Sequence, residues 1–240
     1  MKPLVISSNM LNESFQLEEW LRFVKVIADG GILVVDGGSD DNTQQILSDA
    51  GVVVIEDNII QREGYGPARN HLRDETRKQF PEAHWMMYLD ADERLLEEDF
   101  HKLRWIKDNL IVDFDVVGLP RIDWLNAEMT EAAKDWRVQP DWQARMSRLH
   151  TRVRYVRKLH EQVADYKGVY TRLSSPKIHH FHRSAGKDKR DMVGKLCAKL
   201  HREDVTWGST YPKHHKEDHF WDLYQKEGLN EKTANESKGE

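Results

Sequence analysis

The chain has 240 residues and a mass of 28.2 kDa, enough for one large α/β domain or for an average domain with an appendage. Hydrophobic residues make up 39% of it, the mean hydropathy is −0.75, and no apolar run approaches the roughly 18 residues of a membrane-spanning helix. Cys197 is the single cysteine, which excludes a disulfide framework and a multi-cysteine zinc site. The N-terminus lacks a signal-peptide pattern, and we therefore expect a reducing, cytoplasmic location.

The net charge of −5 conceals an uneven distribution. Residues 145–216 carry 18 Lys and Arg against 6 Asp and Glu, whereas residues 1–144 carry 15 against 28. Eight of the 12 histidines also lie in the basic segment. We interpret the acidic segment 1–144 and the basic segment 145–216 as serving two different functions. The alternative is that the basic segment forms an ordinary solvated face.

The first 120 residues alternate between strand and helix patterns. Apolar strands are predicted at 4–7, 32–35, 52–55, 84–89 and 115–119, with helices at 15–27, 39–47, 68–79 and 96–109. Repeated β-α-β units predict an α/β fold with a mostly parallel central sheet covered by helices on both faces. Ligands of such sheets bind at the carboxyl ends of the strands, where this sequence has Ser7–Asn9, Asp36–Asp41 and Asp90–Asp92.

The pattern loosens after Pro120. Residues 121–142 predict a long loop, and two strands follow at 144–149 and 153–156, which we expect to pair with each other. A further strand is predicted at 177–181, and helices are predicted at 186–202 and 213–226. The last dozen residues have a composition typical of disorder.

The segment Asp90-Ala91-Asp92 carries the sharpest chemical signal. Two carboxylates that follow a buried strand can hold one hard divalent cation if the chain turns at Ala91. Alternatively, Asp92 and Glu93 only cap a helix that starts near Leu95.

A second polar segment runs from Asp36 to Thr43. An acid at a strand end can accept hydrogen bonds from a base or ribose, and Gly37 and Gly38 allow a close approach of the backbone to a ligand. The alternative is a tight turn whose Ser39 and Asp40 cap the next helix.

Together with Ser8–Glu13 and Gly64–Asn70, these segments resemble the family 2 glycosyltransferases of the GT-A fold. The most similar subgroup builds bacterial lipopolysaccharide core and other surface glycans. In that family the first strand ends in Asn-Glu and the second in Asp-x-x-Ser-x-Asp, a Gly-rich turn leads to Arg-Asn, and a strand ends in Asp-x-Asp followed by Glu. All four occur here in order, over about residues 4–95.

The resemblance implies a nucleotide-sugar site and a divalent cation, Mn²⁺ or Mg²⁺. The implied donor-nucleotide residues are Ser8, Asn9, Glu13, Asp36, Arg69 and Asp90. Asp90 and Asp92 would hold the metal against the diphosphate. This agrees with the chemistry, because a cation stabilises the charge that develops on a diphosphate leaving group.

The resemblance extends to Leu159-His160-Glu161, and the Glu161 carboxylate is our candidate general base. The alternative is a structural ion pair between Glu161 and Arg157 or Arg154. Asp141 and Asp123 are the fallback bases.

The stretch Ile178–Ser184 resembles a late His-aromatic-x-aromatic-Arg-Ser segment whose first histidine can complete the metal shell. Alignment on Arg183-Ser184 selects His179, but the extra histidines leave His180 open as well. His182, Arg183 and Lys187 are candidates for contact with the diphosphate or the acceptor, the alternative being ordinary helix surface.

These features predict a metal-dependent, inverting, hexosyltransferase-type enzyme that uses a UDP-linked sugar. We divide the chain into a donor-binding half (1–120), an acceptor and catalytic half of the same GT-A domain (121–205) and a helical tail (206–240). The acceptor would be a surface, lipid-linked or phosphorylated glycan, with peripheral membrane contact allowed. Alternatives are transfer to hydroxylated DNA bases, a nucleotidyltransferase, and a non-catalytic nucleotide-sugar-binding module.

Overall fold

A computed structural model describes residues 2–109, 114–133, 141–181, 186–204 and 215–216. Its strands are β1 (Leu4–Met10), β2 (Gly31–Asp36), β3 (Val53–Glu56), β4 (Trp85–Tyr88), β5 (Glu93–Arg94), β6 (Phe114–Asp123), β7 (Asp141–Arg148), β8 (Val153–Val156), β9 (Gln162–Tyr166), β10 (Val169–Arg172), β11 (Ile178–His180) and β12 (His215–Lys216). Its α-helices are α1 (Leu17–Ile27), α2 (Thr43–Asp49), α3 (Ile59–Glu63), α4 (Tyr65–Gln79), α5 (Phe100–Asn109) and α6 (Lys187–Glu203).

Within the described residues, ten strands form one sheet. Its main path runs in the order β12-β10-β6-β7-β4-β1-β2-β3, and β5 and β11 extend it beside the end of β6. β1 lies parallel to both β2 and β4, whereas β7 lies antiparallel to both β4 and β6. β8 and β9 form a separate antiparallel hairpin.

Helices cover both faces of the sheet. Successive strand residues point to opposite sides, and both sides carry apolar side chains that need to be covered. On one face, Leu4 and Ile6 pack in a core with residues of α1, α2 and α5. On the other, Val5 packs with residues of α3 and α4. Burial of these two apolar layers fixes the register of β1, since a slip by one residue would exchange the faces.

The predicted α/β class, with a mostly parallel sheet and helices on both faces, is confirmed. The helices and strands of the first half lie close to their predicted positions. The helix-cap alternative for Glu93 does not hold. Glu93 does not cap a helix but lies in β5, fully buried, and the α-helix starts only at Phe100.

After residue 120 the observed elements differ more from the predicted ones. The predicted loop at 121–142 contains the end of β6 and the start of β7, because these strands are longer than their apolar patterns indicate. β7 pairs with β4 and β6 and not with β8, whose partner is β9. The helix at 186–202 is confirmed as α6, whereas His215–Lys216 of the predicted second helix is a strand that pairs with β10. The rest of the predicted helix at 213–226 lies outside the described residues.

A bilayer-crossing helix would need more length and more apolar character than any helix in the described part of the chain has.

Candidate active site

A cavity of about 470 Å³ lies at the carboxyl ends of β1, β2 and β4, under α6. We call it the α6 cavity. Its walls include Asn9, Glu13, Asp90, Asp92 and His180 from the predicted site residues, with Lys189 and apolar residues of α6 on the opposite side. The sheet therefore brings together side chains that are up to 171 positions apart in the sequence, as the motif order predicts.

Asn9 and Ser8 lie on opposite faces of β1. Asn9 lines the cavity, and its Oδ1 atom is buried with no hydrogen-bond partner among the described residues. Ser8 is fully buried on the other side of the strand, where it packs within the fold. Asn9 thus offers a polar group to a ligand, while Ser8 does not line this cavity.

Asp36 shapes the turn after β2. Its carboxylate accepts hydrogen bonds from the Gly38 and Ser39 amides at 3.0 and 2.7 Å, from Ser39 Oγ at 2.6 Å and from Gln44 Nε2 at 2.7 Å. The residue is completely buried. These contacts use its lone pairs within the turn, which is tight as the alternative interpretation expects. The capping part of that interpretation does not hold, because the residue before α2 is Asn42 and not Ser39 or Asp40.

Glu13 forms an ion pair across the mouth of the α6 cavity. Its carboxylate lies 2.5 Å from Lys189 Nζ and accepts a hydrogen bond from Gln16 Nε2 at 2.6 Å. Burial outweighs the attraction of Lys189 and raises the pKa of Glu13 to about 7. Lys189 also donates to the Asn12 carbonyl at 3.0 Å, which ties the first turn of α6 to the loop after β1.

The carboxylates after β4 are held by Arg145 of β7. Its Nη2 atom lies 3.1 Å from Asp90 Oδ2 and also contacts Glu93 Oε1. Burial by itself would raise the pKa of Asp90, but the positive charges of Arg145 and Arg69 hold it below its usual value. Arg145 was not among the predicted site residues.

His180 and His179 of β11 point in different directions. His180 Nε2 lies 3.2 Å from Asp92 Oδ2, and its Nδ1 lies 2.5 Å from Asp123 Oδ1. His179 Nδ1 instead accepts a hydrogen bond from Trp124 Nε1 at 2.8 Å, and only 6% of the residue is exposed. Of the two alternatives left open by the sequence, His180 is the histidine at the paired carboxylates.

A second cavity of about 440 Å³ adjoins the first, and we call it the arginine cavity. Its walls contain Arg69, Arg121, Arg145, Arg172, Glu161 and several aromatic residues. Asp90 and Tyr65 line both cavities.

Glu161 enters the arginine cavity and is paired with Arg69 of α4. Arg69 Nε donates to Glu161 Oε1 at 2.6 Å, and Arg69 Nη2 contacts the same oxygen. The Arg69 guanidinium stacks 3.1 Å from the ring centre of Tyr88. The partner of Glu161 is therefore Arg69, not the predicted Arg157 or Arg154.

The fallback bases are engaged elsewhere. Asp141 accepts hydrogen bonds from Arg121 Nε and Nη2 at 3.1 and 2.9 Å, and Asp123 contacts His180. Lys187 is exposed at the start of α6. His182 and Arg183 lie outside the described residues.

Comparison with known protein families shows which family the chain belongs to. The sequence model of glycosyl transferase family 2 matches residues 29–172, more than half of the chain. The chain belongs to glycosyl transferase family 2. Comparison with curated proteins gives no match.

Solved structures similar to this family 2 glycosyl transferase share little sequence with it. Glucosyl-3-phosphoglycerate synthase from Mycobacterium tuberculosis, in complex with Mn²⁺, UDP and glucosyl-3-phosphoglycerate, is 18% identical; the match covers 51% of this chain and 44% of that one, with a TM-score of 0.38. S. aureus TarS 1–349 in complex with UDP is 14% identical over 85% of this chain and 67% of that one, with a TM-score of 0.49. The chain thus spans less than half of the mycobacterial synthase.

The family 2 resemblance implies a divalent metal, and the α6 cavity offers suitable ligand types. Asp90, Asp92 and His180 all line it, and carboxylates with one imidazole suit Mn²⁺ or Mg²⁺. No three His, Cys, Asp or Glu side chains in the described ranges are already grouped as a metal site. By residue type, the two carboxylates suit an ion whose remaining ligands would be waters and diphosphate oxygens.

Sequence reasoning missed Arg145 and did not single out Lys189. Arg145 is 3% exposed in the buried part of β7, and its position between Ala144 and Met146, both apolar, was the available signal. Lys189 was only one of many basic residues on α6, and nothing local distinguished it from helix surface.

Proposed function

We propose that this family 2 glycosyl transferase moves a sugar from a nucleotide-diphospho-sugar, preferably UDP-linked, to an acceptor hydroxyl. The observation that carries the proposal is that the two cavities meet at Asp90 and Tyr65. A donor in one cavity and an acceptor in the other would place the anomeric carbon at their junction. Transfer requires this kind of proximity between two substrates.

The donor is assigned to the α6 cavity. Asn9 is suited to hydrogen-bond the base or ribose, because its Oδ1 has no partner among the described residues. Lys189 is the cation at the cavity mouth that can approach the diphosphate, if it exchanges Glu13 for phosphate oxygens. Asp36 supports the donor by shaping the turn beside Asn9.

Asp90 and Asp92 would hold Mn²⁺ or Mg²⁺ in the proposed enzyme, and His180 would join them only in its neutral form, with Nε2 released from Asp92. When bound, the ion supplies a Lewis acid that stabilises negative charge on the leaving diphosphate. Arg145 keeps Asp90 as a carboxylate, which is the state that the site requires.

Glu161 is proposed as the general base. It would accept the acceptor hydroxyl proton as the oxygen attacks the anomeric carbon from the side opposite the diphosphate, and this in-line attack inverts the configuration. Arg69 orients the carboxylate through this hydrogen-bonded ion pair. Hexosyl transfer is the specific form that we propose.

For the acceptor we propose a surface, lipid-linked or phosphorylated glycan. Transfer to DNA receives no support from the site, because cavity arginines of the basic half are used inside the protein. Arg145 pairs with Asp90 and Glu93 on adjoining elements. We retain the cytoplasmic location as part of the proposal; Cys197 is a free thiol, as a reducing compartment allows.

The deciding experiment is a thermal-shift panel of UDP-, GDP- and CMP-sugars with and without Mn²⁺. A ligand at 100 times its Kd stabilises the native state by about 2.7 kcal/mol, or roughly 5–10 °C for a chain of this size. We expect UDP-sugars with Mn²⁺ to give this shift, and Asp92→Ala to lose it while the protein stays folded. Asp49→Ala, on exposed helix surface, is the control. No shift with any nucleotide sugar would contradict the proposal.

A further inference from the structure

The segment just before Glu161 is a turn with an unusual backbone. Arg157 and His160 both adopt left-handed conformations, with φ angles of 73° and 53°. Residues other than glycine rarely occupy this region, and each instance costs on the order of 1 kcal/mol or more. Two instances within four residues persist only if the surroundings hold the turn, so its contacts determine where Glu161 lies.

One side of the turn is held by the start of α4. The Tyr65 amide donates to the Lys158 carbonyl at 2.8 Å, and the Gly66 amide donates to the Arg157 carbonyl at 3.0 Å. The approach is so close that a Cβ atom at Gly66 would lie 2.4 Å from the Arg157 oxygen. The carbonyl groups of the turn are therefore satisfied by helix amides.

The other side of the turn is held by Asp204, the residue that follows α6. Asp204 Oδ2 accepts hydrogen bonds from the Lys158 amide at 2.9 Å and from the Leu159 amide at 3.5 Å. Only 7% of Asp204 is exposed. A buried carboxylate that accepts backbone amides forms strong, well-directed bonds.

We propose that Asp204 is a positioning residue for Glu161. Its carboxylate binds the amide groups of the turn, and the start of α4 binds the carbonyl groups. The turn therefore has one position, which fixes where the Glu161 side chain enters the arginine cavity. This inference rests on the proposed function, in which Glu161 is the general base.

The same arrangement links the two cavities through α6. Lys189, in the first turn of α6, contacts Glu13 at the mouth of the α6 cavity. Asp204, just after the other end of α6, holds the turn at residues 157–160, which we call the catalytic turn. The first turn of α6 thus contacts the donor side, and the residue that follows the helix contacts the turn before Glu161.

The test compares Asp204→Ala with Asp204→Asn. Alanine removes the acceptor of both amides, whereas asparagine keeps an oxygen in the same place. Glu203→Gln is the control, because Glu203 is the adjacent acid and, among the described residues, pairs with the Lys158 side chain at 3.2 Å. The readouts are UDP release from UDP-glucose with Mn²⁺, the Kd of UDP, and hydrogen exchange of residues 157–162.

We expect Asp204→Ala to lower kcat by roughly ten- to a hundredfold, since a displacement of about 1 Å costs this much in an oriented reaction. The Kd of UDP should change by less than about threefold, because donor contacts lie elsewhere. Exchange at 157–162 should accelerate. Asp204→Asn and Glu203→Gln should keep kcat within about threefold of the wild type.

A double variant separates positioning from general damage. If Asp204 acts through Glu161, Asp204→Ala should not slow Glu161→Gln any further. Wild-type kcat in Asp204→Ala, or equal losses in Asp204→Ala and Asp204→Asn, would overturn the proposal. If Asp204→Ala does not fold, Asp204→Glu replaces it: its shifted carboxylate should lower kcat with the Kd of UDP unchanged, and an unchanged kcat would overturn the proposal.

Failure of the proposed function has a different signature. A wild-type protein that neither binds UDP nor releases it from UDP-glucose would contradict the enzyme. Hydrogen exchange would still show whether Asp204 holds the turn, because protection of 157–162 needs no substrate.

Discussion

Cationic side chains hold each of the acids that we assign to the reaction. Arg145 contacts Asp90, His180 contacts Asp92, and Arg69 contacts Glu161. Removal of a cation would leave a half-buried carboxylate without its partner, at a smaller cost than the several kcal/mol of a fully buried pair. Variants that neutralise the acid and keep its shape therefore report on chemistry with less damage to the fold.

Glu161→Gln should spare donor binding and abolish transfer. The amide keeps the shape of the side chain and can still face Arg69, but it cannot accept a proton. We expect kcat to fall by about 10²–10⁴-fold while the Kd of UDP stays within about twofold, measured by UDP release and calorimetry. Glu203→Gln is the matched control. Full transfer activity in Glu161→Gln would move the base role to Asp141 or Asp123.

His180 should make stability depend on pH. Burial opposes protonation, but hydrogen bonds to Asp123 and Asp92 raise the pKa of His180 to about 9, above its ordinary value of 6.5. The protonated imidazole therefore stabilises the folded state fully below pH 6.5, and this contribution is lost as the pH rises toward 9.

We expect the wild type to lose about 2–3 kcal/mol more than His180→Gln between pH 6 and 9.5. Urea unfolding in the presence of a chelator measures the difference. Parallel pH profiles of the two proteins would contradict this ion-pair role.

The parts of this site that lie in one short sequence segment could be predicted. Contacts between residues far apart in the sequence could not. The carboxylates after β4 are visible because a strand end and its acids are local features. Arg145 lies 55 positions from Asp90, and no local rule connects β7 to β4. His180 could be separated from His179 only when the direction of β11 was known.

At the scale of elements, the start of α4 requires glycine. A Cβ atom at Gly66 would lie 2.4 Å from the Arg157 carbonyl oxygen and 2.8 Å from backbone atoms of Val156. Backbone atoms cannot move aside as a flexible side chain can. Gly64 and Gly66, which precede Arg69, therefore let the turn at residues 157–160 lie directly against the start of α4.

Gly66→Ala should lower the free energy of unfolding by about 2–3 kcal/mol, because the turn must move away from α4. Gly194→Ala in α6 is the control, since its Cβ would meet nothing within 4 Å and should stabilise the helix by about 0.5–1 kcal/mol. Urea denaturation measures both. Equal stability of the two variants would show that the turn can shift freely.

Helical periodicity and the first strands were predictable because each is a local pattern, as α6 and β1 show. β9 and β10 were missed because their residues are mostly half-buried and do not alternate clearly. β7 was found, but its neighbours were not, since pairing depends on the rest of the sheet.

At the scale of the molecule, one sheet carries both proposed halves. β7 lies between β4 and β6, and the division at residue 120 falls within β6. Arg73 of α4 adds a second connection: it donates to Ser147 Oγ at 2.6 Å and to the Leu149 carbonyl at 3.0 Å, and it is 1% exposed. The halves should therefore unfold together.

Arg73→Met should lower the free energy of unfolding by about 3 kcal/mol, because buried acceptors on β7 and after it lose their donors. The transition should stay single in circular dichroism and fluorescence. Arg77→Met, which removes a more exposed donor to the same Leu149 carbonyl, should cost less than about 1 kcal/mol. Two separated transitions would contradict a common cooperative unit.

The position of β7 also has a consequence during synthesis on the ribosome. β4 and β6 are made first, and the strand that separates them in the finished sheet emerges only with residues 141–148. Until then the nascent chain has two open edges that could pair wrongly with each other or with another chain. A chaperone that binds extended apolar segments would be most useful to this protein in that interval.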